Sequence, residues 1–306
     1  MEQGVQFETA LRRRRKTRVR ASMVVAALAL AVGTVPAHAA TMESAGHTSE
    51  QPGAGASSVF IADTFNDRVL AVDPDGTHEH AVGGRDLDLP YGVALDSQHN
   101  LYIADSRHNR VIKRSQDGRR TTTVGSGLEY PYGVAVDGSG NVFIADTGHG
   151  RVVKVAPGGK QTVVVGGLSN PTSVALDQAG NVYANDPYNN RVVKIPPGGG
   201  PVATVPVTGL ADPGGVAVCP DGDLLVADPY NSAVRRVPSG GGAQSTVGTG
   251  LQFPTGVAVT PDCDVYIADF NQNKVFRVDA NSGEQTSVGS GLWAPYAVAV
   301  ASGPTT

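Results

Sequence analysis

One aspartate returns at the same place in a unit of 40 to 42 residues, and nothing else in the chain limits its fold as tightly. It stands at Asp63, Asp105, Asp146, Asp186, Asp228 and Asp269. A proline keeps the same beat at Pro90, Pro131, Pro171, Pro213, Pro254 and Pro295. Residues 130–167 hold one whole unit, YPYGVAVDGSGNVFIADTGHGRVVKVAPGGKQTVVVGG. A period of this length marks one supersecondary unit per repeat, stacked so that each buries what it cannot bury alone.

Each unit reads as four short strands. The first is small and apolar (Gly92-Val93-Ala94-Leu95, Gly133-Val134-Ala135-Val136), and the second is a continuous apolar run (Leu101-Tyr102-Ile103-Ala104, Val142-Phe143-Ile144-Ala145). Unbroken apolar runs between turn residues predict strands covered on both faces. The third alternates, as in Arg151-Val152-Val153-Lys154-Val155, and so faces water on one side. Asp137-Gly138-Ser139-Gly140 and Pro157-Gly158-Gly159 supply hairpin turns. An all-β fold follows, a β-propeller of four-stranded antiparallel blades with the smallest strand nearest the crowded axis.

The ends of the repeat array set the blade count. It opens on a second strand, Val59-Phe60-Ile61-Ala62-Asp63, and closes on a first strand, Pro295-Tyr296-Ala297-Val298-Ala299-Val300. Pairing them makes six blades over residues 58–303, the first split between 58–88 and 294–303. Closure removes the unpaired edges that an open array would show.

Upstream, seven Arg or Lys between residues 12 and 20 precede an apolar run from Ala21 to Val35 and the site Ala37-His38-Ala39. That order predicts a secretory signal over residues 1–39, by the general or the twin-arginine route, and an exported protein. About 15 apolar residues fall short of the ~20 that a spanning helix needs. Residues 40–57 read as a flexible leader. Removing 1–39 leaves 17 basic against 26 acidic side chains, an acidic domain that repels nucleic-acid backbones and anionic membrane surfaces.

The pattern P-x-G-V-A-V-D-x-x-G-N-V-Y-I-A-D-x-x-N-x-R-V resembles the NHL repeat over residues 57–301, with Ala233 and Lys274 replacing the Arg in the fifth and sixth units. The whole is similar to the extracellular sensor domain of bacterial receptor Ser/Thr kinases, here with no kinase segment. That resemblance implies a six-bladed propeller used for recognition. Propeller lyases and hydrolases offer the other expectation. Amidating lyases of this fold carry a His-rich zinc site on the axis, streptogramin-opening lyases use His in their later blades, and gluconolactonase-like propellers carry an acidic calcium site. This chain has no His after His149 and none of those ligand sets, so no cofactor is expected.

The periodic Asp and Arg suit a turn-and-pair role, because a residue needed once for catalysis would not return in every blade. His108 and His149 share one loop position with Asn66, Asn189, Asn231 and Gln272. Two imidazoles are short of a zinc ligand set, and replacement of a loop Asn is the simpler reading. Cys219 and Cys263 fall in the first hairpins of blades five and six. In an exported protein they suit a disulfide, with free thiols the alternative.

The turn leading into each blade and the loop after each Asp must share one end of the ring. That end gathers Tyr91, Tyr132 and Tyr296 from the turns, nearest the axis, and Phe65, Tyr188, Tyr230 and Phe270 from the loops, with Arg107 beside them. Loop aromatics on a rigid scaffold suit a recognition face, and packing between blades is the alternative. The expectation is a secreted monomer that binds a peptide, glycan or protein there. A lyase or hydrolase acting at the axial mouth is the competing reading.

Overall fold

The computed structural model describes residues 58–73, 76 and 78–301. The predicted signal and leader, and residues 302–306, lie outside them. Twenty-four strands form six four-stranded antiparallel sheets. Blades two to six are contiguous, and their inner strands are Pro90–Leu95, Pro131–Val136, Val174–Leu176, Val216–Val218 and Pro254–Val259. Blade one is the split blade. Pro295–Val300 is its inner strand, followed by Val59–Asp63, Arg68–Val72 and Glu79–Val82. The splice keeps an antiparallel register, with Val59 opposite Val300 and Ile61 opposite Val298.

Six buried apolar clusters sit among the described residues, one at each seam between neighbouring blades. At the closing seam, Val59, Ile61 and Leu70 of blade one meet Tyr266, Ala268 and Val275 of blade six. Burying one such side chain contributes roughly 1.5–3 kcal/mol. Near the axis the limit is space. A Cβ on Gly92 would run into the Tyr132 carbonyl of the next blade, and one on Gly133 would stand 2.8 Å from Ser173 Cα. The glycines of the first strand are there because the backbones of adjacent blades approach this closely.

A second set of links lies at one end. The residue after the repeated Asp reaches the Pro carbonyl of the next blade: Thr64 Oγ1 donates to Pro90 and Thr147 Oγ1 to Pro171, each at 2.7 Å, and Ser106 Oγ donates to Pro131. Blade four has Pro187 at that place and cannot donate. There Asn185, where the other blades have Ala, donates to the Pro213 carbonyl at 2.8 Å. In blade six the Thr255 hydroxyl lies 3.0 Å from the Tyr296 carbonyl and 3.3 Å from the Pro295 carbonyl of blade one.

Candidate functional site at the aromatic end of the ring

The repeated Asp organises this end. Each carboxylate is buried and accepts a backbone N–H from the turn leading into its own blade: Trp293 to Asp63 (2.7 Å), Glu129 to Asp146 (2.7 Å) and Gln252 to Asp269 (2.7 Å) are examples. Its other oxygen takes the Arg that starts the third strand, as Arg68 Nε to Asp63 (2.6 Å) and Arg151 Nε to Asp146 (2.7 Å). In blade five, where that Arg is Ala233, Arg235 two residues on donates to Asp228 at 2.6 Å from the same strand face. Blade six puts Gln272 on Asp269 (2.9 Å). The Asp–Arg pairs are therefore fasteners between turn, loop and strand.

The two histidines join the same fastening. His108 Nδ1 lies 2.9 Å from Asp105 Oδ2, and His149 Nδ1 lies 3.0 Å from Asp146 Oδ2. Asn66, Asn189 and Asn231 donate to the matching Oδ2 in their own blades at 2.8–2.9 Å. Among the described residues no group of three or more His, Cys, Asp or Glu is arranged to hold a metal ion.

The axial mouth is occupied by the chain's own rings. Tyr91, Tyr132 and Tyr296 stand in the first positions of the inner strands rather than in turns, because the ladder runs out to the Pro that precedes each of them. Tyr91 and Tyr132 stack at 4.1 Å, and Tyr296 sets its ring across them at 4.6 and 5.9 Å. Tyr91 keeps only 6% of its surface exposed. The Tyr296 phenol interacts with Thr172, on the blade opposite its own. Burial pushes the Tyr91 phenol up to about 12 and the phenols of Tyr132 and Tyr296 well above their ordinary value. Facing these rings, blades four to six supply small residues: Thr172, Gly214 and Thr255. Below the tyrosines a channel of ≈ 280 Å³ runs between the six inner strands. Its wall is Val, Ala, Gly, Leu, Ser, Thr and Tyr, with no His or carboxylate. The wall offers no side-chain carboxylate to a hard divalent cation, which takes oxygen ligands.

Away from the axis, the loop and turn aromatics make a second assembly. Tyr230, Phe253, Phe270, Phe65 and Trp293 follow one another at centroid separations of 5.4, 6.2, 5.6 and 5.6 Å. The Phe65 N–H donates to the Trp293 carbonyl and the Phe270 N–H to the Phe253 carbonyl, so loops and leading turns do share one end. Tyr230 is 56% exposed and Trp293 49%. Phe253 and Trp293 escape a search that looks only at the residue after each Pro. Their signal lies one or two positions before it, in Leu251-Gln252-Phe253-Pro254 and Leu292-Trp293-Ala294-Pro295. Arg107 sits over blade two, 3.7 Å from Asp88, and Tyr188 belongs to the loop of blade four.

Fold and site together define a closed six-bladed β-propeller with an aromatic end. Residues 41–185 match the SMP-30/Gluconolactonase/LRE-like region, and residues 210–236 match the NHL repeat. With the six-bladed ring, these matches support a propeller of the NHL-repeat kind. No curated relative matches it in sequence. Among solved structures, a chain of a nidogen/laminin complex is 20% identical with a TM-score of 0.73, covering 80% of this chain and 98% of that one. A streptogramin B lyase is 15% identical with a TM-score of 0.63 (80% and 86% covered). The virginiamycin B lyase of Staphylococcus aureus is 15% identical with a TM-score of 0.58 (80% and 88% covered). At these identities the likeness is one of fold.

Proposed function

We propose that this protein is an exported, monomeric recognition propeller that takes a peptide, glycan or protein partner on its aromatic end. The observation that carries this reading is the exposure of Tyr230 and Trp293 on a rigid rim. Large rings held half in water lose that exposure on binding, and Tyr and Trp are over-represented among residues that dominate binding energies. The nidogen/laminin complex contains a chain of the same fold in a two-protein assembly, which agrees with such a role. A lyase or hydrolase at the axial mouth would need a general acid or base there. The channel wall offers phenols and hydroxyls, and Tyr91 at about 12 holds its proton too firmly to serve as a base near neutral pH.

A thermal-shift screen with peptides, oligosaccharides and divalent metals tests the reading, since binding to the folded state raises apparent stability. Hits should be weakened by Tyr230→Ala and Trp293→Ala, and kept by Gln98→Ala and Gln178→Ala in the first hairpins at the opposite end. Turnover of a streptogramin B by the purified protein, or hits indifferent to both aromatic variants, would overturn it. Mass spectrometry of the exported protein should find an N-terminus at Ala40.

A further inference from the structure

The five-ring arc crosses two seams, from the loop of blade five, over the turn and loop of blade six, to the loop and turn of blade one. Each consecutive pair meets edge to face, at 80, 64, 79 and 87°. Rings set this way present a ridged apolar surface rather than the flat, coplanar faces on which a sugar chain stacks best. We infer that the arc is a docking groove for a proline-rich segment of a partner protein in the extended polyproline II form. This inference rests on the recognition role proposed above.

Four features fit that occupant. A pyrrolidine ring is flat-sided and apolar, and aromatic-lined grooves are the surfaces that take such segments. The four steps of 5.4–6.2 Å make a track that about seven residues would cover at ~3.1 Å per residue. Polyproline II has no internal hydrogen bonds and proline has no N–H, so the segment offers carbonyl acceptors alone and needs donors. The two ends of the arc are donors, the Tyr230 hydroxyl and the Trp293 indole N–H, with three phenylalanines between them. Burial first, and Asp212 second, hold the Tyr230 phenol above its ordinary value and so keep it protonated.

The polar neighbours of the rings are the amides Asn66, Asn231, Gln252 and Gln272. The carboxylates beneath them, Asp63, Asp228 and Asp269, are buried and hydrogen-bonded, and Asp67 accepts the Leu89 N–H at 2.9 Å. Exposed ionic side chains stand on both halves of this end: Arg85, Asp86, Arg107 and Glu129 on blades two and three, Asp67 on blade one and Lys274 on blade six.

Trp293 is the single tryptophan of the chain, so its emission reports on the groove directly. Titration with decaproline should give a saturable shift to shorter wavelength, and a Gly/Ser decapeptide should give none. Tyr230→Ala and Phe270→Ala should weaken the decaproline response at least tenfold, and Gln178→Ala should leave it unchanged. No response to decaproline, or an equal response to the Gly/Ser peptide, overturns the proposal. A response to cellohexaose or chitohexaose without one to decaproline overturns it in favour of a glycan. If screen hits are lost on Tyr230→Ala while decaproline is inert, the binding end stands and the proline-rich occupant falls. Hits that survive both Tyr230→Ala and Trp293→Ala remove the binding end itself.

Discussion

Tyr91 lies against Tyr132 on its face and Tyr296 at its edge, and this contact decides what the axial tyrosines cost to remove. Truncating a buried aromatic typically costs 3–5 kcal/mol. Tyr132 and Tyr296 are half-buried, so Tyr132→Ala and Tyr296→Ala should each lose about 2–4 kcal/mol in urea unfolding. Reading these rings as turn residues would instead allow only a modest loss. The same burial predicts an alkaline limit. A phenol whose folded value is raised contributes stability that is intact below its unfolded value, ~10, and is lost as pH rises through the folded value. For Tyr91, at about 12, the loss lies between pH 10 and 12 and amounts to roughly 2–3 kcal/mol. Tyr91→Phe should flatten the stability curve in that window, and an unchanged curve would show that Tyr91 is not buried in the folded protein. At this scale the repeated Asp and its turn role were legible in the sequence. The move of the guanidinium from position 233 to Arg235 was not, because it depends on two side chains sharing one face of a strand.

Among the elements, the first hairpins of blades five and six carry Cys219 and Cys263, and a disulfide joins them with their Cα atoms 5.4 Å apart. Both half-cystines belong to the apolar cluster of that seam, at the end of the ring opposite the aromatic arc. The bond closes a loop over a sequence separation of 44 residues, for which chain entropy gives a ceiling of about 4 kcal/mol. Cys219→Ala/Cys263→Ala should therefore lower the unfolding midpoint without disturbing decaproline binding. Peptide mapping without reductant should show the two linked in exported protein, and two alkylatable thiols would contradict this. Hairpins and strands could be read from turn residues and apolar runs. The extension of the inner strands to Pro90 and Pro131 could not, since a proline reads as a turn signal until a neighbouring strand is there to pair with it.

For the whole molecule, the consequence of closure is that the last strand belongs to the first blade. Deleting residues 295–306 removes the inner strand of blade one, Tyr296 from the mouth, and Val298 from the closing seam. It also bares the edge of Val59–Asp63, a template for pairing with other copies. The truncated protein should elute as higher oligomers or aggregate, and unfold well below the full-length protein. A monomer with an unchanged transition would rule out ring closure. The sequence by itself determined the period, the blade count, the split blade and the end that carries the aromatics, because each follows from local strand and turn chemistry repeated in register. Only the tertiary structure decided which rings fill the mouth and which face water. It also decided that Asn185 and Thr255 stand in for absent hydroxyls and that five rings from three blades form one arc. These depend on contacts between residues up to 228 positions apart, as Phe65 and Trp293 are, and no local pattern encodes a neighbour that arrives only when the ring closes.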